Sequence, residues 1–348
     1  MHHKRYMYPY QRSCIYQPIY SPPYLKMLHC EYIYILEIQP SFFNINYLEV
    51  IMDSIYQQAK VRKFAEKTDK SFNNIITGFK SHQTFFDAMM QSMLPFYNSN
   101  PERTGDAAEP LQFYPYFYES SQLTFQALRL LTQTISARSS EVRDFYPVSN
   151  HLYIHQQIKY WISAHGMDAS IYQRELLMLF DELAAERSVI SYKLLPDAQG
   201  NHYTVDEICQ ADELTLDEYR LKVLHEMNHL TAFISEHEYF KELYIRLPLQ
   251  IATEQTRSLM ESGVNLEEIA AARQVKLHTI EDHIIEMVIK DYEIDYTTFV
   301  AEDEIAAVRN LYSTYQFQRL KPYYQESGID SYFKIKLALC LTMKGVKK

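Results

Sequence analysis

Between residues 266 and 287, "LEEIAAARQVKLHTIEDHIIEM", the apolar side chains follow two short helical registers separated by a bend. Ile269 and Ala270 are the inward pair of the first register. Leu277, Ile280, Ile284 and Met287 recur along the second at intervals of three and four, the period of a helix with one buried face. Asn265 stands where a side-chain oxygen can accept from the first free N–H groups, and Glu268 three residues on completes the capping-box pattern. An earlier helix over 253–262 is stopped by Gly263, which suits the left-handed turn at a helix end. Val275 is expected to plug the bend. Alternating strands cannot carry this pattern; it predicts a helix-turn-helix.

The template recurs 61 residues earlier in "TVDEICQADELTLDEYRLKVL", 204–224. Thr204 with Glu207 repeats the capping box. Val205, Ile208, Leu214, Leu216, Tyr219 and Val223 take the places of Leu266, Ile269, Val275, Leu277, Ile280 and Ile284, and Cys209 takes that of Ala270. Asp212, Glu213, Asp217 and Glu218 make the outer side of this copy acidic, so its expected role is protein contact or packing.

Only 7 glycines serve the whole chain, with 47% hydrophobic residues, a mix that favours helix and leaves little for the tight turns of β folds. The expected class is all-α. Helical patterns run over 53–95, 120–137, 150–165 and 168–188, then to about 290 and over 301–348, with loops at 99–110 and 194–203. The division expected is a helical domain over 52–200, a degenerate helix-turn-helix-like unit over 201–250, and a helix-turn-helix domain with a basic tail over 251–348. Residues 1–51 are rich in Tyr and Pro without helical period, and Met52 offers an internal start. They are expected to be a poorly ordered extension or not to be made.

A formal net charge of −10 excludes a generally basic nucleic-acid binder. DNA contact would need a local patch. From Arg319 onward, Lys321, Lys334, Lys336, Lys344, Lys347 and Lys348 face only Glu326 and Asp330, interleaved with Tyr323, Tyr324, Tyr332 and Phe333; basic and aromatic groups together suit a phosphate backbone and its bases. The alternative is a solvated tail with its aromatics packed inward. Cys14, Cys30, Cys209 and Cys340 share no metal-ligand spacing, which with the absence of a spanning apolar run or signal peptide points to a cytoplasmic protein without membrane contact.

The stretch "SGVNLEEIAAARQVKLHTIEDHIIEMV" resembles the helix-turn-helix at the C-terminus of some RecQ-type DNA helicases and in stand-alone bacterial proteins of the YpbB type, encoded beside such a helicase. Gly263, Glu268, Ile269, Ala270, Arg273, Val275, Thr279, Ile280, His283 and Ile284 carry the resemblance. Weaker similarity to the stand-alone proteins extends through 78–90, 144–162, 204–230 and 329–339. It implies an all-α, non-catalytic accessory of a RecQ-type helicase in DNA recombination or repair. The unit is also similar to the DNA-reading domains of bacterial response regulators, where a lysine occupies part of "TIEDHI"; here Glu281 and Asp282 replace that attraction with repulsion, and Gln274 stands where glycine is usual. Candidate DNA contacts are Arg273 beside the turn, Lys276, His278 and Thr279 at the start of the reading helix, and Lys334 and Lys336 for backbone phosphates. A sequence-specific transcriptional regulator is the second reading.

A third reading is an enzyme. "HEMNH" at 225–229 matches the H-E-x-x-H pattern, in which His225 and His229 would hold zinc and Glu226 activate water. Helical geometry clusters Leu216, Val223, Met227, Leu230 and Ile234 on one face, which turns His225 and His229 toward solvent, so zinc hydrolysis ranks last. No metal or other cofactor is expected, and neither a GxxxxGK[ST] phosphate loop nor a G-x-S-x-G elbow occurs.

Overall fold

The computed structural model describes residues 53–101, 111–185 and 189–345; the expected N-terminal extension lies outside them. All regular structure among these residues is helical, as expected. In chain order the helices are α1 (Asp53–Lys60), α2 (Asp69–Ile76), α3 (His82–Met90), α4 (Tyr118–Ser139), α5 (Leu152–His165), α6 (Ala169–Ala184) and α7 (Val205–Ala211). They continue as α8 (Leu216–Glu236), α9 (Ile251–Glu261), α10 (Leu266–Ala272), α11 (Leu277–Ile289), α12 (Glu302–Tyr315), α13 (Leu320–Ser327) and α14 (Tyr332–Met343).

Two apolar cores share the long helix α8. Val223, Met227, Leu230 and Ile234 of α8 pack with Leu128 and Leu131 of α4, Ile154 and Trp161 of α5, and Leu179 of α6. The buried Trp161 indole donates to the Tyr239 carbonyl at 2.6 Å, which satisfies the polar edge of an otherwise apolar body. Leu224, one residue along α8, belongs to the other core. That core joins chain segments far apart in sequence: Phe72, Ile75, Phe85 and Met89 from α2 and α3 pack with Ile284, Ile285 and Ile289 of α11, Ile305 and Val308 of α12, and Ile335 and Leu339 of α14.

Serving two cores leaves α8 no wet side over its middle. His225 and His229 are buried, with 1% and 2% of their surface exposed, contrary to the expectation that they face water. The segment after residue 111 covers them. Phe113 meets His225 edge-on at 5.0 Å and Tyr114 meets His229 at 4.8 Å. Asn228 between them clamps the Tyr114 backbone, accepting from its N–H at 2.7 Å and donating to its carbonyl at 3.1 Å. A helical wheel identifies the most apolar face; it cannot show that a second layer covers the rest.

Candidate nucleic-acid interface

The geometry around residues 251–289 is set by three consecutive helix ends. Gly263 adopts φ 82° and donates to the Met260 carbonyl at 2.9 Å, while Val264 N–H reaches Leu259 at 3.2 Å, the paired bonds of a Schellman stop. Asn265 then accepts from Glu268 N–H at 2.9 Å, opening α10. At its far end Gln274 takes φ 54°, with Gln274 N–H on Ala271 at 3.1 Å and Val275 N–H on Ala270 at 3.0 Å. The chain re-enters helix at α11, whose N-cap Lys276 supplies no side-chain hydrogen bond. Thr279 N–H turns back to the Lys276 carbonyl at 2.9 Å, and no N-cap side chain covers the N–H groups ahead of it, the kind of helix start that suits an outside acceptor.

Ile269, Ala270 and Ile280 form a small core closed by Leu259, Met260, Val264 and Leu266. That closure corrects the role expected of Val275. It is 36% exposed, and Leu277 is 38% exposed, because the cluster is already sealed from the α9 side. Both lie at the outer edge of the bend.

Helix α11 divides into two halves. From His283 to Ile289 every side chain is buried. Glu286 is the anchor: its carboxylate accepts from Gln250 N–H at 2.9 Å, Lys290 Nζ at 2.7 Å, His82 Nε2 at 3.0 Å and Thr253 Oγ1 at 2.5 Å. Burial alone would raise its pKa, but the donors from His82, Lys290 and Thr253 bring it down to about 2. Lys290 in turn lies 4.6 Å above the Phe85 ring and donates to the Pro248 carbonyl. His283 accepts or donates at Thr256 Oγ1, 2.7 Å away, and burial, with His82 and Arg273 nearby, lowers it to about 4. These bonds tie α11 to α3 and α9, so α11 is a fixed part of the fold.

The six candidate contacts fall into two groups. Lys276 and His278 are exposed, and Thr279 is half-buried, at the open start of α11. Arg273 is turned back, with Nη1 donating to the Ala252 carbonyl at 2.6 Å and to Thr256 Oγ1, and Nη2 to Gln255 at 3.2 Å; it fastens the turn to α9. Lys334 pairs with Glu304 at 2.9 Å. Lys336 pairs with Asp282 at 3.0 Å and lies over the Phe86 ring. Neither lysine was expected to have an acidic partner, because Glu304 and Asp282 are 30 and 54 residues distant. The Lys336 pairing has a second effect, since it offsets one of the two carboxylates near the start of α11. Burial and the neighbouring Asp282 raise the pKa of the other, Glu281.

The earlier copy has the same backbone. Thr204 and Glu207 close a capping box, Glu213 takes φ 53°, and Leu214 N–H reaches the Cys209 carbonyl at 2.9 Å. Here α8 begins with a second capping box, Thr215 with Glu218. Sequence matching found the apolar template but not this difference in the caps.

The HEMNH stretch does not present a zinc-holding arrangement. The His225 and His229 rings stack at 4.1 Å and 29°. Glu226 is buried elsewhere, accepting from the Ile190 and Ser191 N–H groups at 3.0 and 2.7 Å, where it caps a short 3₁₀ turn. Among the described residues no group of three or more His, Cys, Asp or Glu could hold a metal, and no helix is long and apolar enough to cross a membrane.

Residues 252–339 match a family described as a helix-turn-helix domain. The match therefore takes in α12–α14 as well as the three helices around the bend. Protein YpbB of Bacillus subtilis (strain 168) is 21% identical over 239 residues, covering 64% of this chain and 66% of that protein. No solved structure matches. Fold and comparison agree on a helix-turn-helix protein.

Proposed function

We propose that this chain is a non-catalytic accessory or regulatory protein that acts with a RecQ-type DNA helicase in recombination or repair, docking on protein and touching DNA. The observation that carries the DNA side is the start of α11. It is exposed, it lacks a side-chain cap, and it bears Lys276 and His278. Free N–H groups at the positive end of a helix beside a lysine suit a phosphate. The small size of this patch on a chain of net charge −10 fits weak contact better than tight sequence reading. The accessory part rests on the resemblance of residues 262–288 to the helix-turn-helix of RecQ-type helicases and of the stand-alone proteins encoded beside them.

The test is a salt titration of duplex and forked DNA binding, alongside direct association with the purified RecQ-type helicase from the same genome. Wild type should bind DNA weakly and bind the helicase. Lys276→Glu should lower DNA affinity and reduce the salt slope by about one, leaving helicase association intact. Absence of both associations overturns the proposal. Strong selection of one operator from random duplexes would establish the transcriptional regulator instead.

A further inference from the structure

Beside the α9–α10 turn of the helix-turn-helix lies a cleft of about 570 Å³, within the usual range for ligand pockets. It opens between the end of α9, the residues entering α10, and the loop following α11. Met260, Val264, Leu266 and Phe299 supply an apolar, partly exposed floor, closed below by Met287 of α11. Glu261, Glu267, Glu293 and Asp295 stand exposed around the mouth.

The lining contains one cation, Arg257, and it is held by Glu254 at 2.6 Å and by Glu261. Arg246 approaches Glu293 only to 3.9 Å on the surface, where such a pair neutralises little. The mouth therefore stays negative above an apolar floor. That combination repels nucleic acid and attracts a cationic chain whose apolar side chain can fill the floor.

We propose that this cleft docks a lysine- or arginine-rich segment of a protein partner, anchored by a bulky apolar side chain. The proposal gives the accessory reading a partner chemistry, and rests on it only for the existence of a protein partner. Of α10 (Leu266–Ala272) only Leu266 and Glu267 line the cleft. Neither Lys276 nor His278 lines the cleft, so the two binding roles use different residues of one helix-turn-helix.

The probe is a fluorescein-labelled, helix-forming peptide of leucine and lysine, titrated against the full chain by anisotropy. It should bind saturably at one site. Replacing its lysines by glutamate, or its leucines by serine, should weaken binding by about tenfold or more. The Glu267→Lys/Glu293→Lys variant should lose affinity similarly, while Asp181→Lys/Glu182→Lys on α6, which changes net charge equally, should not; circular dichroism checks that both fold. No saturable binding, retention by the cleft variant, or equal loss in the α6 variant overturns the proposal. Duplex DNA binding is measured on the same proteins. Peptide binding without DNA or helicase association would sink the accessory reading and leave the cleft standing, and the reverse result would sink the cleft alone.

Discussion

The pair α7–α8 and the pair α10–α11 share a capped start, a left-handed residue at the bend and the same inward apolar positions, 61 residues apart. Their third helices differ. Helix α8 opens with Thr215 and Glu218 satisfying its first N–H groups, and its middle is buried by two cores. Helix α11 opens uncapped at Lys276 and, apart from Ile280, is buried only from His283 onward. The local motif therefore fixes a bend between helices without fixing a use. Whether the outer surface can meet a partner depends on the cap and on what else packs against it.

The largest expected effect breaks the anchor of α11. Glu286→Ala leaves Lys290 buried without its carboxylate and should cost about 3–5 kcal/mol, read as a fall in thermal midpoint. An unchanged midpoint would mean that α11 is not held by this network. Next come the matched core positions, Ile208 and Ile269, both fully buried. Each change to Ala should cost about 2–5 kcal/mol, but with different reach. Ile208 belongs to the large α4–α8 core and Ile269 to the small satellite cluster. Hydrogen exchange should therefore report loosening across α4–α8 in the first variant and only around α9–α11 in the second.

Acid should separate the two copies as well. His283, held at about 4, has Lys222 as its counterpart in the earlier copy. A histidine depressed in the folded state contributes stability that is complete above its ordinary value of 6.5 and lost as pH falls toward 4. Glu286 adds a second loss, from its ordinary 4.5 toward about 2. Protection of α11 amides should fall between pH 6.5 and 4, by an amount on the order of 2 kcal/mol, and His283→Gln should flatten that limb. If the limb persists in the variant, another group is responsible.

The smallest effects lie in the turn and the cap. Gln274→Gly and Glu213→Gly each relieve a left-handed non-glycine and should stabilise by about 1 kcal/mol in chemical denaturation. Lys276→Thr with Thr279→Glu transplants the cap of α8 onto α11. It should gain about 1 kcal/mol while weakening DNA binding; a capped variant that binds DNA as wild type would remove the significance given to the open helix end.

Much of this fold was legible in the residues. The all-helical class follows from scarce glycine and from apolar spacing, and the bend at Gln274 follows from the residues around it, because capping and turn formation act over three to five residues. The site was legible in part. Lys276, His278 and Thr279 could be assigned to the start of α11 because register follows from spacing. The ties of Arg273, Lys334 and Lys336 to other groups were not legible, since each partner lies 10 to 54 residues away and helical period says nothing about distant charge. The burial of His225 and His229 escaped for the same reason, as did the acidic cleft, whose walls come from three separate stretches of chain.

By itself the sequence determined where helices start, stop and turn, and which face of each is the most apolar, because these are settled by hydrogen bonds and side chains a few residues apart. Only the tertiary structure decided which of two like-patterned helices has its middle covered by a second layer, which lysines are neutralised, and that the second half of α11 is walled in by α3 and α14. Those outcomes depend on which surfaces meet, and packing between distant segments is set by shape and charge that periodicity does not encode.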